Sequence, residues 1–272
     1  MCSMDSQAVV SETETPVLVM EQITKDFPGV RALDSVTLDV RGGEVHALVG
    51  ENGAGKSTLV KILAGALLGD AGEIRVNGRP VDIISPHAAQ QLGVAMIYQE
   101  FNLVPHLSVA ENIFLGREPQ LFRGVIDWGR MYREAAAVLD RLGVSMDVRQ
   151  PVSRLSVAQQ QMVEIAKAIS ARAKLIVMDE PSATLTEHEL VRLFELIRAL
   201  RADGVSIIYI SHRLEEIFEI ADRVTVLRDG ELVGTHLVSD VTKDDIIRMM
   251  VGRQLTAQIP KREVEIGQEI LR

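Results

Sequence analysis

The sequence predicts an α/β fold built on a parallel sheet. Three observations carry that expectation. Short apolar runs alternate with stretches of helical periodicity along most of the chain. A glycine-rich segment, Gly50 to Ser57, joins the apolar run "EVHALVG" to the helical pattern "KSTLVKILAGAL". The run "LIVMDE", Leu175 to Glu180, delivers two carboxylates after four apolar residues.

In chain order, residues 1–15 are polar and acidic, the composition of a disordered tail. "PVLVMEQITKDF" alternates like an edge strand, and "ALDSVTLDV" like its hairpin partner. "EVHALVG" has the pattern of a buried strand. Leu59, Ile62, Leu63 and Ala66 then recur at helical spacing. "GEIRVNGRPV" predicts a hairpin turning at Asn77-Gly78, and "GVAMIYQE" a further strand. From about Phe101 to Ala173 the pattern is mostly helical, through "SVAENIFLG", "MYREAAAVLDRLGV" and "QQQMVEIAKAISAR", with Asp127 as the N-cap of a helix beginning near Gly129. "KLIVMDE", "VSIIYISH" and "RVTVLRDGELVG" return to strands, with the helical "EHELVRLFELIRALRADG" among them. The middle helical block has the look of an insert in an α/β core.

The chain has 272 residues, 47% of them hydrophobic, enough for one large domain or two small ones. Its net charge of -9 argues against broad binding to a nucleic-acid backbone. Cys2, the only cysteine, excludes an intrachain disulfide and fits a reducing compartment. The opening residues lack the basic and apolar regions of a signal peptide. No apolar run approaches 18 residues, so any service to a membrane passes through a partner.

"GENGAGKS" matches G-x-x-x-x-G-K-[ST] throughout. Gly50, Gly53 and Gly55 open backbone conformations closed to other residues. The N–H groups of Glu51, Asn52, Gly53, Ala54 and Gly55 can then turn inward around phosphate oxygens. The following helix adds the positive end of its dipole. Lys56 is placed to neutralise phosphate, Ser57 to ligate Mg²⁺ and Thr58 to hydrogen-bond phosphate. This loop alone leaves kinases, GTPases and motor ATPases open. "LIVMDE" narrows them. A buried strand brings Asp179 to its C-terminal end, where ligands of open α/β sheets sit. Asp179 can hold Mg²⁺ through water, which leaves Glu180 free to orient or activate an attacking water. No N-K-x-D motif of a GTPase occurs, and a "DEP" carboxylate pair is unusual in small-molecule kinases.

With five further motifs in order from Val17 to about Gly252, the chain resembles the ATP-binding cassette family. The resemblance implies a P-loop NTPase fold: a RecA-like α/β core with an antiparallel β subdomain and a helical subdomain inserted at about 100–172. It assigns Phe27 of "KDFPGV" to stacking on adenine. Gln99 of "IYQE" joins core to helical subdomain and reaches the Mg²⁺ and the attacking water. "LSVAQQQ", Leu155 to Gln161, is the signature, whose Ser156 contacts ATP held by the opposite cassette. "SATLT", Ser182 to Thr186, is the D-loop, and His212 of "YISHRLEE" is the switch histidine that contacts the γ-phosphate. The implied cofactors are ATP and Mg²⁺.

Within the family the likeness is to ATP-binding subunits of bacterial monosaccharide importers. It implies an ATPase on the cytoplasmic face of the membrane, permease subunits, a sugar-binding protein acting indirectly, and no nucleic acid. In that branch one polypeptide carries two cassettes. This chain carries one, residues 16–252, and then 253–272 as a linker whose closing "EILR" echoes the opening "PVLVMEQI". The expectation is that it is the N-terminal half of such a protein, pairing with a second cassette or with its own copy. Two other roles fit less well: an ATPase acting on ribosomes or DNA, which lacks support from charge or inserts, and a nucleotide sensor without useful turnover, against which Glu180 and His212 argue for the full protein, though one half alone lacks a partner's signature.

Four positions depart from the family pattern. Val157 and Ala158 replace the two signature glycines, and a β-branched valine resists positive φ and close approach. This implies slower hydrolysis at the site that this signature completes. Thr186 stands where the D-loop has aspartate, which implies looser communication between sites. Phe27 replaces tyrosine, a mild change because stacking uses the ring face.

Overall fold

A computed structural model describes residues 16–252 apart from residues 100 and 184. The expected tail at 1–15 and the linker at 253–272, with its "EILR", lie outside the described residues.

The chain opens with β1 (Pro16–Phe27) and β2 (Val30–Arg41), an antiparallel pair whose alternation buries Leu18, Met20, Leu33 and Leu38 on one face. β3 (Val45–Val49) is buried along its whole length. α1 (Lys56–Leu63) follows the glycine turn and buries Leu59, Val60, Ile62 and Leu63. The helix stops there, so Ala66, expected on its apolar face, lies exposed beyond Gly65, whose φ of 68° ends the helical path. β4 (Ala71–Val76) and β5 (Arg79–Pro80) form the predicted hairpin, with φ of 50° at Asn77 and 74° at Gly78, the left-handed pair of a type I′ turn.

The first sheet is ordered β2-β1-β4-β5. β1 is therefore an inner strand, not the edge strand its alternation suggests. The partner on its other side, β4, arrives from beyond α1, and a local pattern carries no trace of it.

α2 (Pro86–Gln91) starts from the Ser85 cap and leads to β6 (Val94–Ile97). Three helices follow: α3 (Val109–Phe114), α4 (Trp128–Arg141) and α5 (Val157–Ser170), with a small hairpin of β7 (Gln120–Phe122) and β8 (Val125–Ile126) between the first two. Asp127 caps α4 as expected, accepting from the Arg130 N–H at 2.9 Å, one residue earlier than the expected start. These helices close over a core of their own, which includes Ile113, Met131, Leu139 and Val163. The segment after β6 is tied down twice. The buried Asn112 side chain accepts from Val104 N–H and donates to the carbonyls of Val104, Leu107 and Ser108. The Glu164 carboxylate of α5 accepts from Asn102 N–H at 2.8 Å.

The chain then alternates through β9 (Leu175–Asp179), α6 (Glu187–Ala202), β10 (Ser206–Ile210), α7 (Leu214–Ile220), β11 (Arg223–Arg228), β12 (Glu231–Leu237) and α8 (Lys243–Val251). The second sheet is ordered β12-β11-β3-β10-β9-β6 and is parallel except for β12. One face packs with the first sheet and α1, through Leu48, Val177 and Ile208. The other packs on α6, α7 and α8, through Val45, Ile176, Ile207 and Tyr209. Fully burying an aliphatic side chain of this kind contributes roughly 1.5–3 kcal/mol, so both faces drive the sheet closed and its strands are apolar throughout. β10 lies between β3 and β9, with Ile210 beside both Leu48 and Asp179. The segments that leave β3, β9 and β10 therefore start from one edge. Among the described residues no helix is long and apolar enough to cross a membrane.

Candidate functional site

The glycine turn after β3 is compact because little else fits. A Cβ on Gly50 would lie 2.4 Å from the Leu227 carbonyl oxygen. One on Gly55, at φ 101°, would lie 2.7 Å from that of Ala32. Gly55 occupies the N-cap of α1, and no side chain caps that end. The first-turn N–H groups are therefore left for a ligand, where the helix dipole favours an anion. The loop closes on itself through Ala54 N–H, which donates to the Glu51 carbonyl at 3.1 Å. The Lys56 ammonium curls back and donates to the carbonyls of Gly50 at 2.8 Å and Glu51 at 3.0 Å.

A cavity of about 240 Å³ opens over this loop. Asn52, Gly53, Gly55, Lys56, Ser57 and Thr58 line it from the loop and α1, Asp179 and Glu180 from the end of β9, Gln99 from beyond β6 and Ala32 from β2. Its charges are set for company. Burial lowers the Lys56 pKa, against the pull of Glu180 and Asp179. Burial and then Glu180 raise that of Asp179, against Lys56 and Lys61. An anion beside Lys56 and a cation beside Asp179 would each favour the charged form again. The Ser57 hydroxyl, the Gln99 amide oxygen and the Asp179 carboxylate are the hard oxygen donors that Mg²⁺ takes, and the under-compensated charge of Asp179 fits such an ion.

Glu180 is held in an unusual way. Its φ is 48°, left-handed for a residue that has a side chain and precedes proline. A conformation of this kind costs on the order of 1–3 kcal/mol and persists where the surroundings over-determine it. The Glu180 N–H donates to the Ile210 carbonyl at 3.0 Å, and its Oε1 lies 3.2 Å from His212 Nδ1. The bend aims the carboxylate across to the loop after β10.

Most of the residues singled out in the sequence thus meet at one place. Glu51 contributes its carbonyl, its side chain being exposed, while Gly50 and the buried Ala54 shape the loop from beneath. His212 reaches the cavity through Glu180 rather than by lining it. Phe27 stands 39% exposed at the tip of the β1–β2 hairpin, with the Lys25 ammonium 5.7 Å from its ring centre. It does not line the cavity, although Ala32 of the same hairpin does. Ser156 is also outside the cavity, as the exposed N-cap of α5, bonded reciprocally with Gln159.

The structure corrects one argument about the departures and gives Thr186 its local setting. Val157 is the first helical residue of α5, and neither it nor Ala158 has positive φ. The argument from left-handed backbone does not apply to this valine. What sets it apart from glycine is its isopropyl group, since the residue is 43% exposed beside Ser156. Thr186 is the N-cap of α6, its N–H and hydroxyl both donating to the Glu189 carboxylate. It fills a capping position that suits aspartate equally. Thr184 of the same loop lies outside the described residues. Sequence reasoning missed Ala32, which no local signal marks, and Glu216, which lay within the quoted "YISHRLEE".

Residues 33–183 match the family model described as ABC transporter. The chain belongs to the ABC transporter family. The chain is 55% identical over 256 residues to a ribose import ATP-binding protein of Rubrobacter xylanophilus, covering 94% of this chain and 51% of that protein. It is 53% identical over 255 residues to a putative ribose/galactose/methyl galactoside import ATP-binding protein of Agrobacterium fabrum, covering 94% and 50%. The chain spans about half the length of the curated relatives it matches. Among solved structures it resembles the ADP conformation of MJ1267, an ATP-binding cassette of an ABC transporter, with a TM-score of 0.77 and 26% identity over 88% of this chain and 100% of that one. A nucleotide-free cassette from an ABC transporter gives 0.75, also at 26% identity, over 88% and 96%. The P-loop α/β architecture expected from the sequence is the one the structure has.

Proposed function

We propose that this cassette binds ATP and Mg²⁺ in the cavity over Gly50 to Thr58 and hydrolyses the ATP to power import of a sugar, a monosaccharide, through a membrane permease. The observation that carries the chemistry is the convergence in one cavity of the phosphate loop with Asp179 and Glu180, the latter bonded to His212 behind it. The loop N–H groups and Lys56 bind the phosphates. Phe27 offers its exposed ring face to the adenine. Ser57, Gln99 and Asp179 are the residues that would hold Mg²⁺, which when bound offsets phosphate charge. Glu180 accepts a hydrogen bond from the attacking water and takes its proton, and His212 keeps the Glu180 carboxylate aimed and reaches the γ-phosphate.

Ser156 lies outside this cavity, which supports a pairing in which it completes the site of a second cassette, from the same polypeptide or a second copy. In this reading residues 16–252 are the cassette, the helical block about 100–172 faces the permease, and 253–272 lead toward a second cassette. The protein then sits on the cytoplasmic face of the membrane, with a sugar-binding protein outside and no nucleic acid involved.

Identity above half with sugar-import ATP-binding proteins over 94% of this chain supports the sugar. The experiment is co-purification of the full-length protein from its own cells, followed by ATP turnover with candidate ligands. Recovery with a membrane permease, and turnover raised by a sugar presented with its binding protein, is the expected result. Recovery with ribosomes or DNA, and turnover raised by those, would overturn it.

A further inference from the structure

We propose that Glu216 of α7 is a positioning residue that ties the segment carrying Glu180 to the segment carrying His212. The proposal rests on the reading that those two residues act on bound nucleotide. Glu216 is 2% exposed, and a buried carboxylate is tolerated only when its oxygens are partnered. Three hydroxyls converge on its Oε2: Ser182, Tyr209 and Ser211 each donate at 2.8 Å. Its Oε1 faces the Arg213 guanidinium at 3.1 Å without hydrogen-bonding alignment.

The identity of the donors gives the cluster its meaning. Ser182 follows Glu180 by one intervening residue, Pro181, and Ser211 directly precedes His212. Glu180 and His212 are themselves bonded at 3.2 Å. A closed circuit results, running from Glu180 through Ser182, Glu216 and Ser211 to His212 and back. Its far side is buried and its near side is the catalytic pair. The His212 side chain is 62% exposed, so packing does little to hold it, and Glu180 sits in left-handed backbone that needs an anchor. Ser211 Oγ also accepts from Arg213 N–H at 3.0 Å, which fixes the turn around His212. Tyr209 differs from the two serines. It lies within β10, deep in the core, where pairing with β3 and β9 on either side already fixes the backbone. Burial and the Glu216 charge raise its pKa, so it stays a donor.

That difference makes the proposal testable. Ser182→Ala, Ser211→Ala and Tyr209→Phe each remove one hydroxyl from the same carboxylate oxygen. In the full chain, the two serine variants are expected to lower kcat about tenfold, the scale of a small misplacement of reacting groups, with KM within about twofold. Tyr209→Phe is expected to lower the melting temperature and leave kcat in place. Glu216→Gln, which keeps an acceptor oxygen, should fall between wild type and the serine variants. A second readout needs no turnover: the His212 ring signals in ¹⁵N-histidine-labelled protein without nucleotide. Ser182→Ala and Ser211→Ala should shift them, and Tyr209→Phe should not. If kcat falls alike in all three single-hydroxyl variants in step with melting temperature, or the His212 signals stay put in both serine variants, Glu216 is only a core residue. Should wild type fail to hydrolyse ATP while His212 still responds to the serines, the tie stands and the hydrolysis reading falls.

Discussion

Glu180→Gln is expected to leave Mg·ATP affinity within a few-fold of wild type and to lower turnover by about 10² or more, the scale of a positioned general base. The substitution preserves side-chain shape and its place on the wall of the cavity, and removes the capacity to take a proton. A factor of 10² corresponds to about 2.7 kcal/mol of transition-state stabilisation. Two features of the site argue that the loss falls on the chemical step. Glu180 lies at the end of β9 beside, and not within, the phosphate loop. Its side-chain partner is His212 at 3.2 Å, which belongs to the segment after β10 and not to that loop. Steady-state turnover and equilibrium binding, measured on the same preparation, separate the two parts. Unchanged turnover would remove Glu180 from its role.

Lys56→Ala is expected to act on binding instead, raising the ATP dissociation constant by about 10²-fold. A hydrogen bond to a charged group is worth roughly 1.5–3 kcal/mol, and the triphosphate offers several acceptors in reach. Burial lowers the Lys56 pKa from the usual lysine value, which marks an ammonium held short of compensating charge, and phosphate supplies that charge. Lys56 donates to the carbonyls of Gly50 and Glu51, so its removal also loosens the loop. Calorimetric titration with ATP reads the affinity, and thermal unfolding without nucleotide reads the loop's share. Affinity within twofold of wild type would mean that Lys56 does not meet the phosphates.

The site was legible where chemistry demands particular residues at fixed spacing. Eight positions from Gly50 to Ser57 suffice for the phosphate loop, and the apolar run before Asp179 and Glu180 marks both the strand and its C-terminal end. Helices with long periodic faces, such as α4 and α6, were equally plain. Short elements were not. α2, α7, α8 and the β7–β8 hairpin are too brief for periodicity to separate from loop, and their form depends on caps and on what they pack against. β1 alternates as an edge strand does, and only the arrival of β4 makes it inner. The signature valine shows a different limit. A glycine in the family pattern suggested left-handed backbone, yet here the helix begins at that residue. Glu216 was invisible for a third reason. Its partners lie on β10 and on two separate loops, and a glutamate in "LEE" on a short helix has the ordinary look of a solvated face.

The most direct test of the central claim is the crystal structure of the full chain with Mg²⁺ and a non-hydrolysable ATP analogue. The account predicts phosphates against the N–H groups of Gly53 to Thr58, and the Lys56 ammonium moved from the Gly50 and Glu51 carbonyls to those phosphates. It also predicts Mg²⁺ between Ser57, Gln99 and Asp179, and the adenine on Phe27. An analogue bound elsewhere, with Lys56 still on its own loop, would contradict it.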